Sequence, residues 1–161
     1  MRFPKPERRS AKAPKRIARK VRVRKQRKST LAGLKRKFWS LFSAYVKERD
    51  GNWCRSCGAK DLEGRNWQAG HLFPAQGPKL IVWDPKNVHS QCYVCNCHLG
   101  GNGAAYATWF IDHYGTSEFL RLSDRSRLQK QWKAHEVQEL IAALEKGPHY
   151  YESLYAEKYG L

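Results

Sequence analysis

The chain has 161 residues, with 31 Lys and Arg against 14 Asp and Glu for a net charge of +17. The charge is polarised: residues 1–37 hold 17 basic residues and one acid, Glu7, whereas residues 38–161 hold 14 basic and 13 acidic residues. No apolar run approaches the length of a bilayer span and no hydrophobic signal segment is seen in the basic start, so a soluble, intracellular protein is expected.

Residues 1–30 read as a basic arm, expected to be disordered because its few apolar side chains cannot bury enough surface to offset chain entropy. A solubilising tail and a polyanion-binding arm both suit this composition. The charge density points to nucleic acid, bound through counterion release. The stretch Arg16 to Lys28 also has the character of a nuclear-import or anionic-lipid patch. A helix is predicted over Leu31–Arg49, where Leu34, Phe38, Leu41, Phe42, Tyr45 and Val46 recur on one face and Asp50-Gly51-Asn52 supplies the stop.

The first knuckle, Cys54-Arg-Ser-Cys57, comes next, followed by a short strand over Trp67–His71. A loop through Pro74 and Pro78 leads to an extended stretch over Lys79–Trp83, and Asn87–Gln91 runs extended into the second knuckle, Cys92-Tyr-Val-Cys95. Two Cys-x-x-Cys knuckles supply a tetrahedral thiolate set, so Cys54, Cys57, Cys92 and Cys95 are the expected ligands of a structural zinc. Disulfides and reduced core thiols are the alternatives. Cys97 is a spare thiol, or replaces Cys95 only at a less usual ligand spacing. A helix is expected from Asn96 to Tyr114 with Gly115 as its stop, then a short one near Ser117–Leu122 and a longer one over Gln131–Lys146, ending at Gly147-Pro148.

The expected fold class is α+β, with an arm (residues 1–30), a zinc-stabilised domain (residues 31–122) and a C-terminal helical extension (residues 123–161). Knuckle, β-hairpin, knuckle, helix is the order of a treble-clef zinc fold. Its nuclease version, the ββα-metal or HNH-like core, holds a histidine on the first strand and a metal ligand on the helix after the second knuckle. Phosphodiester hydrolysis needs both a base for water and a cation for the departing oxygen.

Several ordered motifs carry a closer resemblance: Ala44-Tyr45-Val46-Lys47-Glu48-Arg49-Asp50, Cys54-x-x-Cys57-Gly58, Ala69-Gly70-His71, Asn87-Val88-His89-Ser90-Gln91-Cys92, and Cys95-Asn96-Cys97-His98-Leu99-Gly100-Gly101-Asn102. Together they resemble the phage NinG/Rap recombination family of the broad HNH group, over roughly residues 38–122. The resemblance implies a metal-dependent endodeoxyribonuclease that cuts branched recombination intermediates such as Holliday junctions and D-loops. It also implies a phage origin and action in the cytoplasm of a bacterial host. The implied partner is branched or duplex DNA, and the paired cuts of junction resolution imply a homodimer. A non-catalytic zinc module binding nucleic acid and an HNH nuclease of linear duplex are the competing readings.

On these positions His71 is the expected general base, and Asn87 positions its loop or orients its imidazole. Mg²⁺ or Mn²⁺ is the implied catalytic cation, with Asn96 and His98 ranking equally as its ligands. Two residues apart on a helix, those side chains point in different directions. His89 either faces the site beside Asn87 or packs against the knuckle. Gly70 departs from the pattern, because many HNH enzymes carry Asp or His immediately before the base. Arg121, Arg125, Arg127, Lys130 and Lys133 form either a DNA-facing surface or a solvated one.

Overall fold

The computed structural model describes residues 30–160. The basic arm, apart from Thr30, lies outside the described residues, and so does the expectation of disorder there.

Helix α1 (Leu31–Asp50) begins where the Thr30 hydroxyl accepts a hydrogen bond from the Gly33 amide at 3.2 Å. That bond satisfies one of the donors a helix start leaves open. Leu34, Phe38, Phe42, Tyr45 and Val46 share one face and are buried. Each such burial contributes roughly 1.5–3 kcal/mol of apolar transfer. Strand β1 (Trp67–His71) pairs antiparallel with β2 (Val88–Cys92), Gln68 facing Gln91 and His71 facing Val88. Strand alternation therefore gives the hairpin two faces. Ala69, His71 and Val88 look toward α1, while Gln68, Gly70, His89 and Gln91 look the other way.

Four further helices follow: α2 (Gly103–Tyr114), α3 (Thr116–Ser126), α4 (Ala134–Lys146) and α5 (Pro148–Tyr155). One apolar cluster joins α1, the hairpin, α4 and α5, through residues such as Phe38, Val88, Leu140 and Tyr151. Residues beyond 122 thus close the central core. A second cluster of Ile81, Phe110 and Leu122 seats α2 and α3, and a third gathers Leu62 with Cys54, Cys92 and Cys95. The class is α+β. No helix of the described residues is long and apolar enough to cross a membrane.

Three elements differ from the sequence expectation. Leu80–Trp83 forms a 3₁₀ turn rather than an extended stretch. Its carbonyls are claimed by side chains: Tyr155 donates to Leu80 O at 2.8 Å, Asn87 to Ile81 O at 3.1 Å, and Tyr151 to Trp83 O. The helix expected from Asn96 to Tyr114 is interrupted. A π turn over Val94–His98 ends at Gly100, Gly101 and Asn102, all with positive φ, before α2 starts. The break folds the chain back on the knuckle, with Gly101 N–H donating to Cys95 O at 2.8 Å. Finally, the helix expected to stop at Gly147-Pro148 does stop there, at Lys146, but a further helix that was not expected, α5, opens at Pro148. Proline at a first helical position loses no hydrogen bond and has its φ preset.

Candidate functional site

The sulfurs of Cys54, Cys57, Cys92 and Cys95 lie within 4.8 Å of one another, and Cys57 and Cys92 Sγ are 3.8 Å apart. Tetrahedral zinc with bonds of about 2.3 Å places its sulfurs about 3.8 Å apart. Backbone amides of Cys57 and Cys95 donate to Cys54 and Cys92 Sγ at 3.5 and 3.4 Å, and Asn102 Nδ2 donates to Cys95 Sγ at 3.4 Å. Such donors favour thiolates. Without a cation the set cannot ionise together, since burial and then the neighbouring sulfurs push the Cys95 thiol up to about 12. A bound divalent cation reverses that logic, so the donor set fits zinc. Cys97 stands outside it, exposed, with its thiol 3.3 Å from Gln68 Oε1.

His71 ends β1 and turns its ring toward α1, where it stacks on Trp39 at 5.3 Å and 10°. Nε2 donates to the Val82 carbonyl at 2.9 Å. That bond fixes the tautomer and leaves Nδ1 as the basic nitrogen. Burial lowers the pKa of His71 below its ordinary 6.5, only partly offset by the Val82 carbonyl. The ring lines a cleft of about 360 Å³ together with Lys35, Trp39, Lys130 and Trp132. Lys130 is paired with Glu136 at 2.6 Å, whereas Lys35 is exposed.

Asn87 is fully buried and staples the loop that follows His71. Its Oδ1 accepts from Phe73 N–H at 2.8 Å, and its Nδ2 donates to Phe73 O at 3.2 Å. The loop-positioning role weighed for Asn87 is thus the one its contacts describe.

His89 has no exposed surface. Its Nδ1 lies 3.0 Å from Asp50 Oδ2 and 2.8 Å from Arg49 Nη2, and its Nε2 lies 3.2 Å from Lys86 O. Burial lowers its pKa despite the Asp50 carboxylate. Asp50 also accepts from the Ser90 amide at 2.8 Å. Burial opposes its ionisation, but the hydrogen bonds from His89 and Arg49 win and hold its carboxyl well below the usual range. This cluster ties the end of α1 to β2. His89 therefore faces the interior, away from any substrate, because its place in β2 directs it at Trp109 and Tyr106 of α2.

Asn96 lies on the other side of the hairpin from the His71 ring. Its Nδ2 donates to Gln68 Oε1 at 2.7 Å, and its Oδ1 approaches Gly70. The neighbouring Gln91 Oε1 is buried without a hydrogen-bond partner. His98 is exposed and packs edge-on against Tyr93 at 5.0 Å. The structure thus brings together Gln68, Gly70, Gln91 and Asn96, and separately His71 with Trp39 and two lysines. Asn96 and Gln91 offer one amide oxygen each and no carboxylate accompanies them. Mg²⁺ and Mn²⁺ favour carboxylate and phosphate oxygens, so the side chains here do not make up a site for either.

Asp50, Trp39 and Lys35 are the residues that sequence reasoning did not single out for the site. Asp50 carried a signal, since it closes the first of the resembling motifs. Trp39 carried none, because its partner His71 is thirty-two residues away and only the packing of β1 on α1 joins them.

A family model described as Bacteriophage Lambda NinG protein matches residues 2–148. Protein ninG of Salmonella phage P22 is 31% identical over 130 residues, which cover 76% of this chain and 60% of the relative. Protein ninG of Escherichia phage 933W is 30% identical over 129 residues, with 76% and 60% covered. For Protein ninG of Escherichia phage lambda the identity is 29% over 129 residues, with 76% and 59% covered. The matched region spans about 60% of the length of these curated relatives. No solved structure matches the chain. With a family model matching most of its length and relatives of this similarity, the chain belongs to the NinG family of phage proteins.

Proposed function

We propose that the protein is a DNA endonuclease that hydrolyses phosphodiesters at branched recombination intermediates, with His71 as general base. The observation that carries the reading is the His71 ring itself. Burial lowers its pKa, Val82 O holds it in one tautomer, Trp39 stacks on it, and it lines a cleft with Lys35 and Lys130. In such a cleft a DNA phosphate meets positive charge, and Nδ1 takes a proton from a water molecule that attacks phosphorus. The bond to the 3′ oxygen breaks, that oxygen takes a proton from solvent to become the 3′ hydroxyl, and the other product carries a 5′ phosphate. Lys35, exposed at the cleft, supplies positive charge for the oxygens that gain charge in that step, while the Lys130 charge is shared with Glu136. Asn87 holds the loop after His71, and Trp39 limits the ring to one orientation. The fold that goes with this chemistry is a treble-clef, HNH-like core. Its support is the knuckle, hairpin, knuckle, helix order around four clustered thiols. Zinc does no chemistry in this reading, since four thiolates leave it no open position.

The side chains beside Gly70 do not build a Mg²⁺ or Mn²⁺ site. That same gap favours the second reading, a zinc module that binds DNA without cutting it. One experiment separates them: cleavage of a labelled four-way junction beside a matched linear duplex, with and without Mg²⁺ or Mn²⁺. Loss of about 10²–10⁴-fold in rate is expected for His71→Ala. Cutting of both substrates points to a duplex nuclease. Salt-sensitive binding with no cutting under any condition would leave only the binding module.

A further inference from the structure

Between the first knuckle and α2 lies another cleft, of about 350 Å³, lined by Trp53, Arg55, Ser56, Trp109 and Asp112. Its walls are planar groups. The Arg55 guanidinium sits 4.6 Å from the Trp53 ring centre and 5.5 Å from that of Trp109. Trp109 in turn stacks on His113 at 5.3 Å and 14°. Trp53 keeps 40% of its surface exposed, although it adjoins the zinc ligand Cys54. Arg55 donates from Nη2 to the Asp50 carbonyl at 2.6 Å, and its Nε is enclosed with no partner. Nothing in the His71 chemistry uses any of these groups.

We propose that this cleft takes an unpaired nucleobase of single-stranded DNA, stacked against the part of Trp53 that Arg55 leaves exposed, with Asp112 placed to accept from base-edge N–H groups. The cleft chemistry selects that ligand. A bare phosphate would meet the Asp112 carboxylate in the same space. A closed duplex buries its base faces in its own stack and offers none to Trp53. Every base has a π face, so an aromatic platform binds single strands with little regard to sequence. Branch points and displaced strands are the DNA structures that expose such bases. The inference rests on the DNA-binding part of the reading above and is independent of His71.

The test uses the full zinc-loaded chain and a single strand carrying one 2-aminopurine, whose fluorescence falls when it stacks on an indole. Anisotropy of an end-labelled single strand and its matched duplex is read in parallel. Quenching on binding is expected. Trp53→Ala should weaken single-strand binding about tenfold and leave duplex binding within about twofold, whereas Trp53→Phe keeps most of the single-strand affinity. Zinc content is measured for each variant. The proposal is overturned if the parent protein binds the strand without quenching, or if zinc-loaded Trp53→Ala treats the two substrates alike. Should Trp53→Ala fail to hold zinc, parent quenching and the Trp53→Phe affinities decide. Quenching without cleavage would keep this site and remove the nuclease reading; cleavage without quenching would do the reverse.

Discussion

At Gly70 an added Cβ would stand 1.7 Å from Gln91 Oε1 and 2.7 Å from Asn96 Oδ1. Gln91 cannot yield easily, because its Nε2 donates to Ser56 Oγ at 2.5 Å and to Gly101 O at 2.7 Å. Gly70→Ala should therefore cost about 1–3 kcal/mol in urea unfolding, the usual price of overpacking. Adding Gln91→Ala should recover part of that loss, which a double-mutant cycle will read as coupling. Gly70→Asp should likewise fail to create a cation site, its space being occupied. At His71 the sign of the pH dependence follows from the lowered pKa. Since its folded pKa lies below 6.5, cleavage should rise with pH through a value under 6.5 and stay level up to pH 8. A profile still climbing above pH 7 would contradict a His71 base. The same lowering links to stability: neutral His71 supports the fold above pH 6.5, and that support fades as pH falls toward the folded value. His71, Asn87 and Asn96 were visible in the sequence as residue types in order. Which face each occupies was not, because it depends on a strand register pairing Gln68 with Gln91.

Among the elements, α1 and β1 were legible from periodicity, since an aromatic stripe at helical spacing and a short run before a loop leave few alternatives. The 3₁₀ turn at Leu80–Trp83 was not, because Leu-Ile-Val-Trp has strand composition and its turn is enforced by Tyr151 and Tyr155 from far along the chain. Helix α5 was hidden by Gly147-Pro148, a pair that ends one helix and starts the next. Its Tyr151 is fully buried against Phe38, Phe42 and Tyr45. Tyr151→Ala should destabilise the protein by about 3–5 kcal/mol, in line with loss of a large core aromatic. Tyr151→Phe keeps the ring and orphans the Trp83 carbonyl, so about 1–3 kcal/mol is expected. Both are measured by denaturant midpoints at constant slope. An equal cost for the two variants would mean that the hydroxyl, not the ring, dominates.

For the molecule as a whole, the knuckles join the end of α1 to the turn before α2, so zinc removal should loosen the hairpin that carries His71. Chelator titration should lower the melting temperature and release one zinc per chain, with activity lost in the same range. Unchanged melting in chelator would place the stabilisation elsewhere. The basic arm acts at this scale too. Residues 1–29 hold 14 of the 31 Lys and Arg, and their deletion should flatten the salt dependence of duplex binding while leaving the His71 pH profile intact. The slope of log affinity against log salt reads how many phosphate contacts were lost.

The shared core of α1 with α4 and α5 also sets an order in time. Helix α1 is made before α4 and α5, so a side chain that covers Phe38 and Phe42, Tyr151, follows about a hundred residues later. The second knuckle likewise emerges well after the first, so neither metal nor core can close early. A nascent chain therefore carries a bare aromatic face until α5 has been made. Core contacts so far apart in sequence should slow folding and make it sensitive to loss of α5.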